Sequence, residues 1–257
     1  MHRRVAAYCS SAKACDLLCR GIIGIDSGFA IDHGQFSLRA SSGQRFLRPF
    51  NLSAFMSSVR NHPDKNIIRV QLGQNLVLKG MTIEQSAELE SHLVIVDAQK
   101  GDTLLHQGAH EMEQYFILDG ILKRVVTNQQ AKEMILRFAD ERDMETSYAA
   151  WRLGTPTPYS TVCVTKARVA KLPLPEWVAF LDRHHEIKQS FEYYVMRLMS
   201  EIMAHTITLH LLDAPGRVKR FLRKHPELFE RIPKKELASY LNLSAETLSR
   251  LKQRGKI

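Results

Sequence analysis

An α+β fold is predicted: a small antiparallel β-roll, then one long helix, then a C-terminal helix-turn-helix. Three observations carry this. Between residues 93 and 172, short β-rich runs alternate with turn residues. From Phe191 to Leu212, apolar positions recur at alternating spacings of four and three. Residues 232–251 spell helix, tight turn, helix, inside a basic segment.

The bulk properties fit a globular chain that meets an anionic partner. Of 257 residues, 44% are hydrophobic and 25% charged, and the formal net charge is +9. From Asp213 to Ile257, twelve Lys/Arg stand against five Asp/Glu, so most of the excess sits at one end. No apolar run approaches the roughly 20 residues that a membrane span needs. The start lacks a secretory pattern. A cytoplasmic protein with no membrane partner is expected. Gly-x-Ser-x-Gly, His-Glu-x-x-His, a phosphate-binding glycine loop and Cys-x-x-Cys are all missing, so an enzyme is not expected.

Residues 1–66 show no sustained period and read as an N-terminal extension, disordered or untranslated, with Met56 a reasonable initiator. Residues 67–186 form the sensory roll. Thr82 and Gln85 have capping-box spacing before a helix from Ile83 to Leu93. Strand-like runs follow at Leu93–Val96, Thr103–Gly108 after a Gly101-Asp102 turn, Tyr115–Leu118, Ile121–Val126, Met134–Phe138, Tyr159–Val164 and Arg168–Leu172. Asp119-Gly120 between two β-rich runs predicts a tight hairpin.

Residues 187–214 read as a dimerisation helix. Phe191, Val195, Leu198, Ile202, His205 and Leu209 form its seam, with His205 as a register-setting polar residue. A second stripe, Met199, Met203 and Ile207, is expected to pack back on the roll. Asp213-Ala214-Pro215-Gly216 then breaks the helix as a hinge.

In the final domain, 215–257, Leu237, Ala238 and Leu241 form the buried side of the first helix. Asn242 suits the left-handed turn, Leu243 plugs the corner, and Ser244 caps the second helix. Ala245, Glu246, Ser249 and Arg250 are left pointing outward. Such a face suits a major groove. Arg250 can reach guanine O6 and N7, Glu246 can accept from cytosine N4, and Ser249 can meet base or phosphate. Lys234, Lys235, Lys252 and Arg254 would hold phosphates.

On these residues the chain resembles the Crp/Fnr family of bacterial transcription regulators. The resemblance runs from about Gly80 to the end. It rests on Gly101-Asp102, Gln107-Gly108, the Phe116–Val125 hairpin, the long helix and the helix-turn-helix. It implies a cyclic-nucleotide-binding-like roll, a homodimer, RNA polymerase as a partner, and double-stranded DNA as the target. Glu246, Ser249 and Arg250 look like the Fnr branch, whose site would be a TTGAT-like inverted repeat. Crp-type recognition helices carry Arg where this chain has Ala245.

Three departures from the family are visible. The ribose glutamate and phosphate arginine of cyclic-AMP binders do not line up with Arg142–Ser147 and Thr157-Pro158-Tyr159, so cyclic AMP in the usual pocket is not expected. Cys9, Cys15 and Cys19, with Cys163, are spaced differently from Fnr-type cluster ligands, so an iron–sulfur cluster is not expected either. The chain ends just after Gly255, where the family continues into a wing, so a helix-turn-helix lacking most of the wing is expected. For an effector, cyclic di-GMP, a haem-bound gas or a protein partner stay open. Arg124, Arg137, Arg142, Arg152 and Arg168 offer cations for cyclic di-GMP, and Trp151 and Tyr148 offer stacking faces. The alternative is a ligand-sensing module whose helical tail docks a protein rather than DNA.

Overall fold

A computed structural model of the chain describes residues 57–254. Order begins earlier than the periodicity suggested. A two-residue strand, β1 (Ser57–Ser58), a 3-10 turn at Val59–Asn61 and helix α1 (Lys65–Gly73) all precede the capped helix. Helix α2 (Ile83–His92) starts at a complete capping box. The Thr82 hydroxyl accepts from the Gln85 amide at 3.2 Å, and the Gln85 side chain accepts from the Thr82 amide at 2.8 Å.

The roll is two antiparallel sheets face to face. Strands β2 (Val94–Ala98), β4 (Glu113–Asp119), β7 (Met144–Glu145) and β9 (Ala167–Pro173) join β1 in the order β1-β2-β9-β4-β7. Strands β3 (Thr103–Leu105), β5 (Leu122–Thr127), β6 (Glu133–Ala139) and β8 (Ser160–Cys163) form the second sheet in the order β3-β8-β5-β6. Helix α3 (Tyr148–Arg152) bridges β7 and β8.

The Asp119-Gly120 hairpin is not formed. β4 pairs with β7 and β9, whereas β5 pairs with β6 and β8, so this turn carries the chain from one sheet to the other. Gly120 has φ 91°, and a Cβ there would lie 2.3 Å from the Lys166 carbonyl. Its amide donates to Glu141 at 2.9 Å, and the Ile121 amide donates to the Thr165 hydroxyl at 2.9 Å. The local turn chemistry was right, but ladder partners are chosen by what each strand buries. The hairpin in this region is β5–β6, closed over Asn128–Lys132.

Strand alternation sorts side chains into layers. Between the sheets lie Val96, Tyr115, Ile117, Leu122, Ala139, Cys163 and Val169. Burial pushes the Cys163 thiol up to about 12, so it is a core group and not a thiolate ligand. Cys9, Cys15 and Cys19 lie outside the described residues.

On the outer face of the five-stranded sheet, Phe116, Leu118, Ala170 and Leu172 bury against helices α4 (Leu174–Arg183) and α5 (His185–Leu211). Trp177, Phe180 and Phe191 interlock there, with Trp177 and Phe191 edge-to-face at 5.5 Å. On the outer face of the four-stranded sheet, Ile121, Val125, Ile135 and Phe138 bury against the C-terminal helices. These are α6 (Ala214–Lys224), α7 (Pro226–Arg231), α8 (Lys234–Tyr240) and α9 (Ala245–Gln253). Asp213 caps α6 by accepting from the Gly216 amide at 2.9 Å.

The two stripes of α5 are exchanged relative to expectation. Phe191 and Leu198 are buried in the chain's own core, Val195 and Ile202 pack against it half-buried, and Leu209 is also half-buried. His205 lies on the helix-turn-helix, its ring stacked 3.8 Å from that of Tyr240. The stripe expected to pack inward is the one left open: Met199 is 50% exposed, Met203 65% and Ile207 50%, with Tyr193, Met196 and Leu211 beside them. The physical reason is size. A fully buried aromatic such as Phe191 stabilises by about 1.5–3 kcal/mol, and the space beside Trp177 takes it.

Candidate nucleic-acid interface and the interior of the roll

Helices α8 and α9 form the two-helix unit. Leu237, Ala238, Leu241, Leu248 and Leu251 are buried between them and against their neighbours. Asn242 turns the corner with φ 52°, and the half-buried Leu243 packs beneath it. The Ser244 hydroxyl accepts from the Thr247 amide at 3.0 Å and caps α9. Position and capping together leave Ser244, Ala245, Glu246, Ser249 and Arg250 exposed. At 100° per residue, positions 245, 246, 249 and 250 share one face.

Lys234 and Lys235 are exposed at the start of α8, and Arg254 follows the end of α9. Lys252 stands at the edge of that face, about 20° around the helix from Ala245 and about 160° from Arg250, with its ammonium 6.0 Å from the Phe229 ring centre. Among the described residues, none of Glu246, Arg250, Lys234 and Lys235 takes an ion-pair partner.

The unit is clamped to the roll. Lys123 on β5 meets Glu236 on α8 at 2.8 Å. Arg231 grips Glu141 with two nitrogens. Phe138 packs on Tyr240 with ring centres 5.1 Å apart, and the His205 Nε2–H donates to the Tyr240 carbonyl at 3.1 Å. Burial first, then the nearby Arg220, Lys224 and His225 charges, holds His205 down at about 4, against the opposing pull of that hydrogen bond. These partners are 35 to 113 residues apart in sequence, and no motif marks them.

The seven side chains suggested for a cyclic dinucleotide do not converge. Arg124 and Arg137 meet inside the roll on one carboxylate, Glu145. Arg168 points from the opposite face of β9 and pairs with Asp97 and Asp64, each at 2.8 Å, because alternation sets it against Ala167 and Val169. Arg142 is exposed at a turn with φ 71°, and Arg152 is exposed on α3. Trp151 and Tyr148 pack on the helical core, Tyr148 edge-to-face with Phe191 at 5.0 Å, so these stacking faces are taken. Cations also gather elsewhere. Arg217, Arg220 and Lys224 line a cleft of about 50 Å³ between β6, α5 and α6.

Among the described residues, no helix is long and apolar enough to cross a membrane, and no three His, Cys, Asp or Glu gather for a metal ion.

Comparison with known proteins bears on both regions. Residues 95–184 match the model of the cyclic nucleotide-binding domain. The cAMP-activated global transcriptional regulator CRP of Salmonella typhimurium is 22% identical over 171 residues, covering 63% of this chain and 81% of that protein. The c-di-GMP-responsive global regulator CLP of Xanthomonas campestris superposes with a TM-score of 0.57 at 13% identity, over 68% of this chain and 92% of that one. FixK2 of Bradyrhizobium japonicum superposes with a TM-score of 0.54 at 14% identity, over 63% and 86%. The curated relatives are named as global transcriptional regulators.

Proposed function

We propose that the chain is a transcription regulator of the Crp/Fnr type with a cyclic-nucleotide-binding-type domain, and that it acts as a homodimer that reads a TTGAT-like inverted repeat through α9. The carrying observation is the exposed face of Ala245, Glu246, Ser249 and Arg250 on a buried two-helix scaffold. Arg250 reads guanine, Glu246 accepts from cytosine, and Lys234, Lys235 and Arg254 meet phosphates. The second copy docks along the open stripe of α5, at Met196, Met199, Met203 and Ile207. That face replaces the Phe191–Leu209 seam. RNA polymerase is the expected protein partner, as in the family.

The test is fluorescence anisotropy with a labelled TTGAT inverted repeat against a scrambled duplex, titrated with salt. Binding should favour the repeat and weaken as salt rises. Arg250→Ala should cost about 1–3 kcal/mol of discrimination, roughly five- to 150-fold. Equal weak binding to both duplexes would remove the reading.

Cyclic di-GMP, the ligand named for the Xanthomonas relative, meets its best cation set here at Arg217, Arg220 and Lys224. The cleft holds about 50 Å³, far below a dinucleotide's size, so binding there would have to shift the clamped helices. Ligand and docking would then be coupled. An effect of cyclic di-GMP on the anisotropy that Arg220→Ala abolishes would support this.

A second reading has one observation behind it. Phe229, Ile232, Leu237 and Leu248 line an apolar groove of about 240 Å³ beside α9. A helical tail that docks a protein would use it, and would bind no duplex.

A further inference from the structure

A cyclic nucleotide-binding domain implies a nucleotide held between the sheets, and the side chains there do not fit one. Glu145 lies opposite Tyr115 in the β4–β7 ladder and faces inward with it. One Glu145 oxygen accepts from Arg124 Nε at 3.0 Å and Nη2 at 2.7 Å, and the other accepts from Arg137 Nη1. Arg124 Nη2 also donates to the Thr146 carbonyl at 3.0 Å, and Arg137 donates to the Met144 carbonyl and to Asp143. The Tyr159 ring covers the Arg124 guanidinium at 4.0 Å, and its hydroxyl donates to the Thr146 carbonyl at 2.9 Å.

The two stretches where a nucleotide's ribose and phosphate would be held thus bond to each other. Ser147 and Thr157 hydroxyls lie 3.4 Å apart, and both residues are buried. Arg124 and Glu145 are 3% and 1% exposed. A phosphate entering here would have to evict a carboxylate that already satisfies two guanidinium groups in a dry interior.

We propose that Glu145 is the roll's internal anion: it takes the place of a ligand phosphate on Arg124 and Arg137, and closes the space between the sheets to nucleotides. Control of the chain then passes to its surface or to the contact between roll and helix-turn-helix. The proposal concerns the roll alone, and its test measures ligand rather than DNA, so it can fail or stand independently of the proposed function.

The experiment titrates the full chain with cyclic AMP, cyclic GMP, cyclic di-GMP and inorganic phosphate by calorimetry and thermal melting. Three proteins are compared: the natural chain, Glu145→Gln, and the double variant Arg124→Met with Glu145→Leu. Glu145→Gln keeps the shape and strips the charge, leaving Arg124 facing a neutral amide and Arg137 with Asp143 as its one carboxylate partner. It should bind phosphate or cyclic AMP at least about tenfold more tightly than the natural chain. The double variant replaces Arg124 and Glu145 by apolar groups of similar volume and leaves Arg137 bonded to Asp143 and the Met144 carbonyl; it should melt cooperatively, at a lower temperature than the natural chain, and bind none inside the roll. Saturable binding to the natural chain that the double variant loses would overturn the proposal. So would a folded Glu145→Gln protein with no gain in anion affinity. Binding that survives the double variant places the nucleotide outside the roll, as the proposal requires. If Glu145→Gln does not fold, the natural chain and the double variant still decide.

Discussion

At the scale of single residues, His205 shows how a position changes meaning with its neighbours. In a helix seam it would set register. Against Tyr240 it is a neutral ring, stacked and bonded to a carbonyl. Its proton affinity is lowered from 6.5 to about 4, mainly by burial. A histidine depressed in this way contributes stability that is complete above about pH 6.5 and lost as pH falls toward 4. Asp143, raised by burial to about 6, acts with the opposite sign, favouring the fold as pH falls. His205→Phe should separate the two. It keeps the stack and costs about 1 kcal/mol at pH 7 through the lost hydrogen bond, but its melting temperature should fall less between pH 7 and pH 5. Calorimetry across that range is the check, and parallel curves for the two proteins would exclude His205 as the titrating group.

Helix α5 poses the question at the scale of an element. It carries two apolar stripes, each at a helical spacing, so period alone could not say which one turns inward. Packing decided it: the stripe with Phe191, Tyr194 and Leu198 fills the space beside Trp177, and the methionine stripe faces out. Exposed Met and Ile at 50–65% along one helix make an apolar surface that asks for a partner. Met203→Glu should leave the fold of one copy intact, because the residue touches no core cluster. It should convert a dimer to monomer by placing a charge in the seam. Sedimentation measures this directly, and an unchanged dimer would move the seam elsewhere.

For the whole molecule, the informative feature is the clamp between roll and helix-turn-helix. Its ion pairs, Lys123–Glu236 and Arg231–Glu141, surround an apolar contact that unites Ile121, Val125, Ile135 and Phe138 with Phe221, Leu237 and Tyr240. Arg231–Glu141 lies partly in solvent and alone contributes modestly, whereas the Lys123 end of the other pair is buried. Together with the apolar contact they fix one orientation of α9 relative to α5. Removing both, with Lys123→Met and Glu141→Gln, should raise cleavage by protease at Leu212–Gly216, where the chain crosses between the units. The cooperative melt of the roll should survive. Unchanged cleavage would mean that the apolar contact alone holds the orientation.

Much of this was legible in the chain itself. The Thr82 capping box, the Asn242 corner, the Ser244 cap and the exposed residues of α9 are local patterns, set by neighbours within one or two helical turns. So were the strand positions, because alternation and turn residues are short-range signals. Tertiary structure decided everything that depends on distant partners. It chose the β4 and β5 ladders over the hairpin and the inward stripe of α5. It also seated His205 on Tyr240 and Arg168 on Asp97, and set Glu145 between Arg124 and Arg137. Period and turn chemistry say that a strand or stripe must bury a face. Which face meets which is settled by volume and charge satisfaction among residues far apart in sequence, and those exist only in the folded chain.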